Sequence, residues 1–169
     1  ARAVDKAEPK IIIPVTEKSG GRSGKNPPPH PLCDKLKYLS GYDVQKQELY
    51  IEQLTQWAES PYGHPKLWPV LNYVKSGTIL TDLVQSGVIQ LDENGHPKDG
   101  NAMVCWRVVG LDSSESETCW QDQSLFRAFI DYYRAKMEGQ GKALCMISGT
   151  LSRPAIQHPS GIAPVCGVK

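Results

Sequence analysis

An α+β protein, in which a small mixed or antiparallel sheet is packed by amphipathic helices, is the fold class this sequence predicts. Three observations lead there. Two long segments carry apolar residues at helical spacing, short β-branched runs lie around them, and strands and helices do not alternate as a parallel sheet requires.

The first β-branched run is "KIIIPV" (10–15), bounded by charge and proline, which reads as a strand. A glycine-rich, cationic loop comes next. "LCDKLKYLSGYD" (32–43) places Leu32, Leu36 and Leu39 before a Ser-Gly stop, as in an extended or short helical segment on the core. In "KQELYIEQLTQWAES", Tyr50, Leu54, Trp57 and Ala58 fall on one helical face that Ser60-Pro61 ends. "PKLWPVLNYVKSG" repeats the device with Leu67, Val70, Leu71 and Val74, Pro69 fitting only a first turn and Gly77 closing it. Residues 84–110 read as two strands around an Asn-Gly turn, the second being "AMVCWRVVG". Phe126, Phe129, Ile130, Tyr133 and Met137 predict a further helix, capped by Asp122 or Ser124 and stopped by Gly139. "KALCMISG" (142–149) reads as a buried strand and "RPAIQHPSGI" as its hairpin return. There is no internal repeat.

A chain of 169 residues with 40% hydrophobic content fits one ordinary domain, or part of a larger one, with a buried core. The net charge of +1 excludes a wholesale polyelectrolyte, yet its distribution is uneven. Residues 1–40 hold eight lysines and arginines against four acids, giving that segment +4 and the remainder −3, a basic end suited to an anionic partner. Five widely spaced cysteines, with no C-x-x-C, predict a reduced, cytoplasmic protein. No apolar run approaches the roughly 18 residues that span a bilayer. The absence of an initial methionine and the ending "APVCGVK" suggest an internal piece, with 1–169 forming part of the N-terminal domain of a larger protein.

The loop "EKSGGRSGKNPPPHPLCDK" (17–35) invites comparison with a phosphate-cradling nucleotide loop. It fails that test, because Gly20 to Gly24 is one residue short, Asn26 stands where a hydroxyl is needed, and Pro27, Pro28 and Pro29 supply no N–H. What survives is a backbone whose glycines, Gly20, Gly21 and Gly24, permit positive φ and close approach, carrying Lys18, Arg22 and Lys25 on flexible stems. The alternative is a surface loop whose charges meet only water.

Catalytic and metal constellations are sparse. Cysteine gaps of 72, 14, 26 and 21 residues give no zinc spacing, so the cysteines read as small buried hydrophobes. Cys145 with His158 would form a thiolate–imidazole pair only if their strands adjoin, and no third group orients them. "DENGHPKD" lacks the ligand spacing of a calcium loop and reads as a turn. Trp57, Trp68 and Trp106 read as core residues; Trp120 is left open between packing and base stacking. Nothing here points to catalysis or to a cofactor.

Three separated stretches carry a resemblance: "IIPVTEKSGGRSGKNPPPHPLCDKLKYLSGYD", "CWQDQSLFRAFIDYY" and "ALCMISGTLSRPAIQHPSGI". Together they resemble the large subunit of the type I-C CRISPR surveillance complex, the Csd family, from about Pro14 to Ile162 and most weakly between Ser60 and Ala102. Lys35 stands where the family commonly has Asn, and the loop carries extra residues, including Arg22 and the three prolines. The resemblance implies a non-catalytic subunit at the crRNA 5′ end, beside handle-binding and backbone Cascade subunits. It would recognise the motif flanking a double-stranded DNA target and offer a docking surface to a helicase–nuclease, while base pairing reads the target. It further implies nucleic-acid contact by Lys18, Ser19, Gly20, Gly21, Arg22, Ser23, Lys25 and Asn26, with Arg22 gripping either a guanine edge or a phosphate. Two alternatives remain beside it: a general RNA-binding scaffold, and a cysteine hydrolase using Cys145 and His158.

Overall fold

The computed structural model describes residues 11–22, 24, 26–110, 116–139 and 141–154. Within them the chain is α+β: α1 (Glu17–Gly20), β1 (Asp34–Lys35), a 3-10 turn (Leu36–Tyr38), α2 (Val44–Ala58), α3 (Leu67–Ser76), α4 (Ile79–Gln85), β2 (Met103–Val104), α5 (Gln123–Met137), β3 (Ala143–Leu144) and β4 (Leu151–Ser152). β1 pairs antiparallel with β2, and β3 with β4, as two separate two-stranded sheets.

Helix α2 forms where its apolar spacing predicts. The Asp43 carboxylate accepts from the Lys46 N–H to cap it, and Tyr50, Leu54, Trp57 and Ala58 are all buried. They meet Leu67, Val70, Leu71 and Val74 of α3, so the two helices zip one apolar stripe against another. Pro69 lies in the first turn of α3, where its missing N–H costs nothing, and Gly77 ends the helix at φ 72°. Leu125, Phe129 and Tyr132 of α5 close the core, Phe129 meeting the Trp57 ring edge-on at 5.2 Å.

Several expectations are corrected. Residues 11–16 form no strand: Ile11 and Ile12 are exposed, only Ile13 packs on the core, and Pro14 has no N–H for a ladder. Between 84 and 110 only Met103–Val104 is a strand, because 79–85 is helical and the Asn94–Gly95 turn closes a single bridge, Leu91 to Pro97. The core face of α5 is rotated from the expected one, leaving Ile130 exposed. Trp68 is exposed as well, whereas Trp57 is buried and Trp106 partly so. β3 and β4 are exposed, with Met146 and Ile147 at the turn 91% and 98% accessible, so the expected buried strand is a surface hairpin. The rest of its expected return lies outside the described residues.

At the start of α3 and α5 stands a buried ion pair. The Lys66 ammonium donates to the Asp122 carboxylate and the Ser116 carbonyl, and both side chains of the pair are wholly inaccessible. Asp122 also caps α5, accepting from the N–H groups of Ser124 at 2.9 Å and Leu125 at 3.2 Å. Among the described residues no helix is long and apolar enough to cross a membrane.

Candidate nucleic-acid interface

The glycine-rich stretch begins as one helical turn. Thr16 caps α1 reciprocally with Ser19: the Ser19 N–H donates to Thr16 Oγ1 at 3.1 Å and the Thr16 N–H to Ser19 Oγ at 2.9 Å. The turn is fastened to α5, the Glu17 N–H donating to the Tyr133 hydroxyl at 3.2 Å, and to the end of β4, where Glu17 pairs with Arg153. Lys18 is exposed at the mouth of a cleft between this turn and α5, opposite Tyr133 and Lys136.

Asp34 organises the remainder of the loop. Its carboxylate is inaccessible to solvent and accepts from Arg22 Nη2 at 2.6 Å, from the His30 N–H at 2.7 Å and from the Lys35 N–H at 2.6 Å. One side chain therefore pins two points of the loop, Arg22 and His30, to β1 and binds the next backbone N–H of β1 itself, and charge-assisted bonds of this kind are the stronger ones. The Arg22 guanidinium also lies 4.9 Å over the Tyr38 ring, whose hydroxyl donates to the Pro27 carbonyl at 2.8 Å. Arg22 Nε is buried without a hydrogen-bond partner among the described residues. On the inner side, His30 Nδ1 is 3.0 Å from Ser19 Oγ, and Gln53 of α2 donates to the Pro29 carbonyl at 3.3 Å.

Leu32 joins this frame to the core. It is a buried, non-glycine residue at φ 67°, a conformation that costs an L-residue about 1–2 kcal/mol. Its carbonyl accepts from the Tyr50 hydroxyl at 2.5 Å and from Trp106 Nε1 at 2.6 Å, so two large side chains hold the strained turn in place. Substitution by glycine would relieve the strain and lose a buried leucine, worth about 2–5 kcal/mol, so packing decides in favour of leucine.

The candidate residues thus divide. Ser19 is buried and structural, Arg22 is held by Asp34, and Lys18, Gly20 and Asn26 are exposed. Ser23 and Lys25 lie outside the described residues. Of the three glycines only Gly24 has positive φ, at 86°, while Gly20 is helical and Gly21 has φ −102°, which corrects the expectation of left-handed freedom at all three. The structure adds residues that sequence reasoning passed over. Lys35 and Lys37 stand beside Arg22 and Lys46, and the Lys37 ammonium is held below its ordinary value first by partial burial and then by those three cations. The signal lay in the alternation from Lys35 to Tyr38, in which Leu36 and Tyr38 are buried and the lysines between them turn outward.

Cys145 sits at the base of the β3–β4 hairpin, where Ser148 and the Ile147 N–H lower its thiol below the ordinary value. His158, its suggested partner, lies outside the described residues. Among the described residues no three of His, Cys, Asp and Glu are grouped to hold a metal ion.

A buried imidazole, His64, and a half-buried one, His30, give the fold a pH dependence. Burial, then the Arg22 charge, push His30 below its ordinary 6.5 against the pull of Asp34. Burial lowers His64 likewise, Asp122 opposing and Lys66 assisting. The fold therefore favours neutral rings: their contribution to stability is complete above 6.5 and is lost as pH falls below it toward the lowered values. Urea-unfolding midpoints are expected to be level above neutrality and to decline below about pH 6.5. A His30→Gln, His64→Gln variant should flatten that decline; an unchanged slope would remove these rings as its cause.

The family model described as CRISPR-associated protein (Cas_Csd1) matches residues 2–169. No curated protein and no solved structure matches the chain.

Proposed function

Because this chain belongs to the Cas_Csd1 family of CRISPR-associated proteins, components of Cascade, we propose that it is the non-catalytic subunit that recognises the motif flanking a DNA target. In this reading it works in the cytoplasm beside crRNA, handle-binding and backbone subunits, and supports recruitment of a helicase–nuclease once the duplex is engaged. The observation that carries the reading is the Asp34 node. A basic loop that is fixed before DNA arrives loses little conformational entropy on binding, which favours short-motif recognition over general adhesion. Lys18, Lys35 and Lys37 are the phosphate-facing candidates. Arg22, with Gly20, Gly21, Gly24 and Asn26 around it, presents its remaining guanidinium donors or sets the loop's shape; Ser19, Ser23 and Lys25 complete the segment.

The test is target binding by the assembled complex across a library of flanking motifs and salt concentrations. Lys18→Ala and Lys37→Ala should weaken all motifs alike and each lower the salt slope by about one unit. Arg22→Ala should cost about 1–3 kcal/mol for the preferred motif and relax the preference. Gly24→Ala, strained at φ 86°, should relax it with no change in charge. Binding that keeps its affinity, selectivity and salt slope in all four variants would leave the loop with nothing to recognise. Sequence-indifferent binding by the unaltered chain would favour a general RNA-binding scaffold.

A further inference from the structure

Cys33 and Cys105 lie 72 positions apart in sequence, yet the register of the first sheet brings them together. Asp34 pairs with Val104 and Lys35 with Met103, so one further step along the same antiparallel ladder sets Cys33 opposite Cys105. The Leu36 N–H donates to the Ala102 carbonyl at 2.9 Å, which makes that pair a hydrogen-bonded one. By alternation the Asp34–Val104 pair is bonded too, and the Cys33–Cys105 pair is of the non-bonded kind. Such pairs have Cα atoms about 4.5 Å apart and side chains at their closest, inside the roughly 4.4–6.8 Å window that a disulfide spans. Both cysteines are free thiols; Cys33 is buried and Cys105 partly accessible.

We propose that this pair is a modification site for hydroperoxides, with Cys105 as the thiol attacked first and Cys33 as its resolving partner. Two features of the site fit those roles. Cys105 is the more accessible of the two and its thiol is lowered by its contact with Cys33, whereas that contact and then burial hold the Cys33 thiol far above the ordinary range. Cys119, the third cysteine nearby, has a different register partner, its N–H donating to the Trp106 carbonyl at 3.0 Å, and burial pushes its thiol up to about 11.

The chemistry balances with one oxidant. The Cys105 thiolate attacks the outer oxygen of a hydroperoxide, the O–O bond breaks, and the alcohol departs with a proton, leaving a sulfenic acid. Cys33 Sγ then attacks that sulfur, and its proton leaves with the hydroxyl as water. Two thiols and one hydroperoxide yield one disulfide, one alcohol and one water. The bond closes a long loop beside Asp34, so it should raise the melting temperature of the whole chain by roughly 5 °C or more.

Hydrogen peroxide is the probe. After exposure of the reduced chain, alkylation of the remaining thiols and digestion, mass mapping should recover one linked peptide pair holding Cys33 and Cys105, released by dithiothreitol. Cys33→Ser should strand the oxidation at Cys105 as a dimedone-reactive sulfenic acid, Cys105→Ser should abolish the link, and Cys145→Ser should leave it unchanged. The mapping on the unaltered chain needs no variant to fold. Cys33 and Cys105 both remaining alkylatable after Cys145 has been oxidised, or Cys105 joined to Cys119, would overturn the assignment.

Discussion

Asp34→Ala is expected to be among the most damaging single substitutions in the chain, lowering stability by about 3–5 kcal/mol, because it removes the shared acceptor of a buried polar cluster. Two backbone N–H groups, those of His30 and Lys35, would be left without their partner, each costing about 1–3 kcal/mol where water does not reach. The Arg22 guanidinium, with its side chain 16% accessible, can turn partly to solvent, so its own loss adds less than a fully buried charge would. Asp34→Asn keeps one good acceptor and should fall between, and Arg22→Ala should cost least, since it leaves both backbone bonds intact. Urea denaturation gives this order directly. An Arg22→Ala loss equal to that of Asp34→Ala would mean that the ion pair, rather than the backbone anchoring, holds the loop.

Lys66→Met is the second large effect, expected at about 3–5 kcal/mol because a buried carboxylate would lose the cation that pairs with it. Asp122→Ala should be worse, since it strands the ammonium and uncaps α5 together, the cap alone being worth about 1 kcal/mol. In Lys66→Met with Asp122→Asn, the neutral amide still caps the helix and no charge is buried, so much of the loss should return. A double variant no better than the sum of its parts would show that the two residues act independently. The pair also has an acid limb. Burial raises the Asp122 carboxyl, but Lys66, Ser124 and the Leu125 N–H outweigh it and hold the group below 3.8. Its stabilisation is therefore present above 3.8 and is lost as pH falls through the lowered value; Lys66→Met, which removes the cation that lowers the group, should shrink or reverse that acid loss.

How legible these features were in the sequence depends on whether the interaction that makes them is local. The buried faces and the ends of α2 and α3 were legible, because each carries a single apolar row with a stop after it, whereas the start of α2 at Val44 and its Asp43 cap were not. α5 was legible as a helix but not in its orientation. Leu125, Phe129 and Tyr132 form one apolar row, and Phe126, Ile130, Tyr133 and Met137 form another, and only the Trp57 ring across the core selects between them. The run 142–149 carries the letters of a buried strand, yet burial is a property of what stands opposite, and among the described residues β3 and β4 pair only with each other and stay exposed. The loop's composition led to the expectation of an anionic partner, but Asp34, twelve positions beyond Arg22, was indistinguishable from any surface acid until β1 brought it inward. Lys66 was hidden in the same way by its distance of 56 positions from Asp122.

The clamp on Leu32 bears on the order in which the chain assembles. Its carbonyl is reached by Tyr50 from 18 positions away and by Trp106 from 74, so the first bond can close as soon as α2 forms. The second must wait for a long segment to return, a closure whose entropic cost is met before its contacts are made. Until then, nothing offsets the full cost of the left-handed turn, and the residues on either side of it have no fixed path. The loop is thus a late-forming element hung from an early one, and it takes up its shape only on chains whose distant halves have already met. The binding surface proposed for it would then be its own record of completed folding: immature or locally opened chains are expected not to display it.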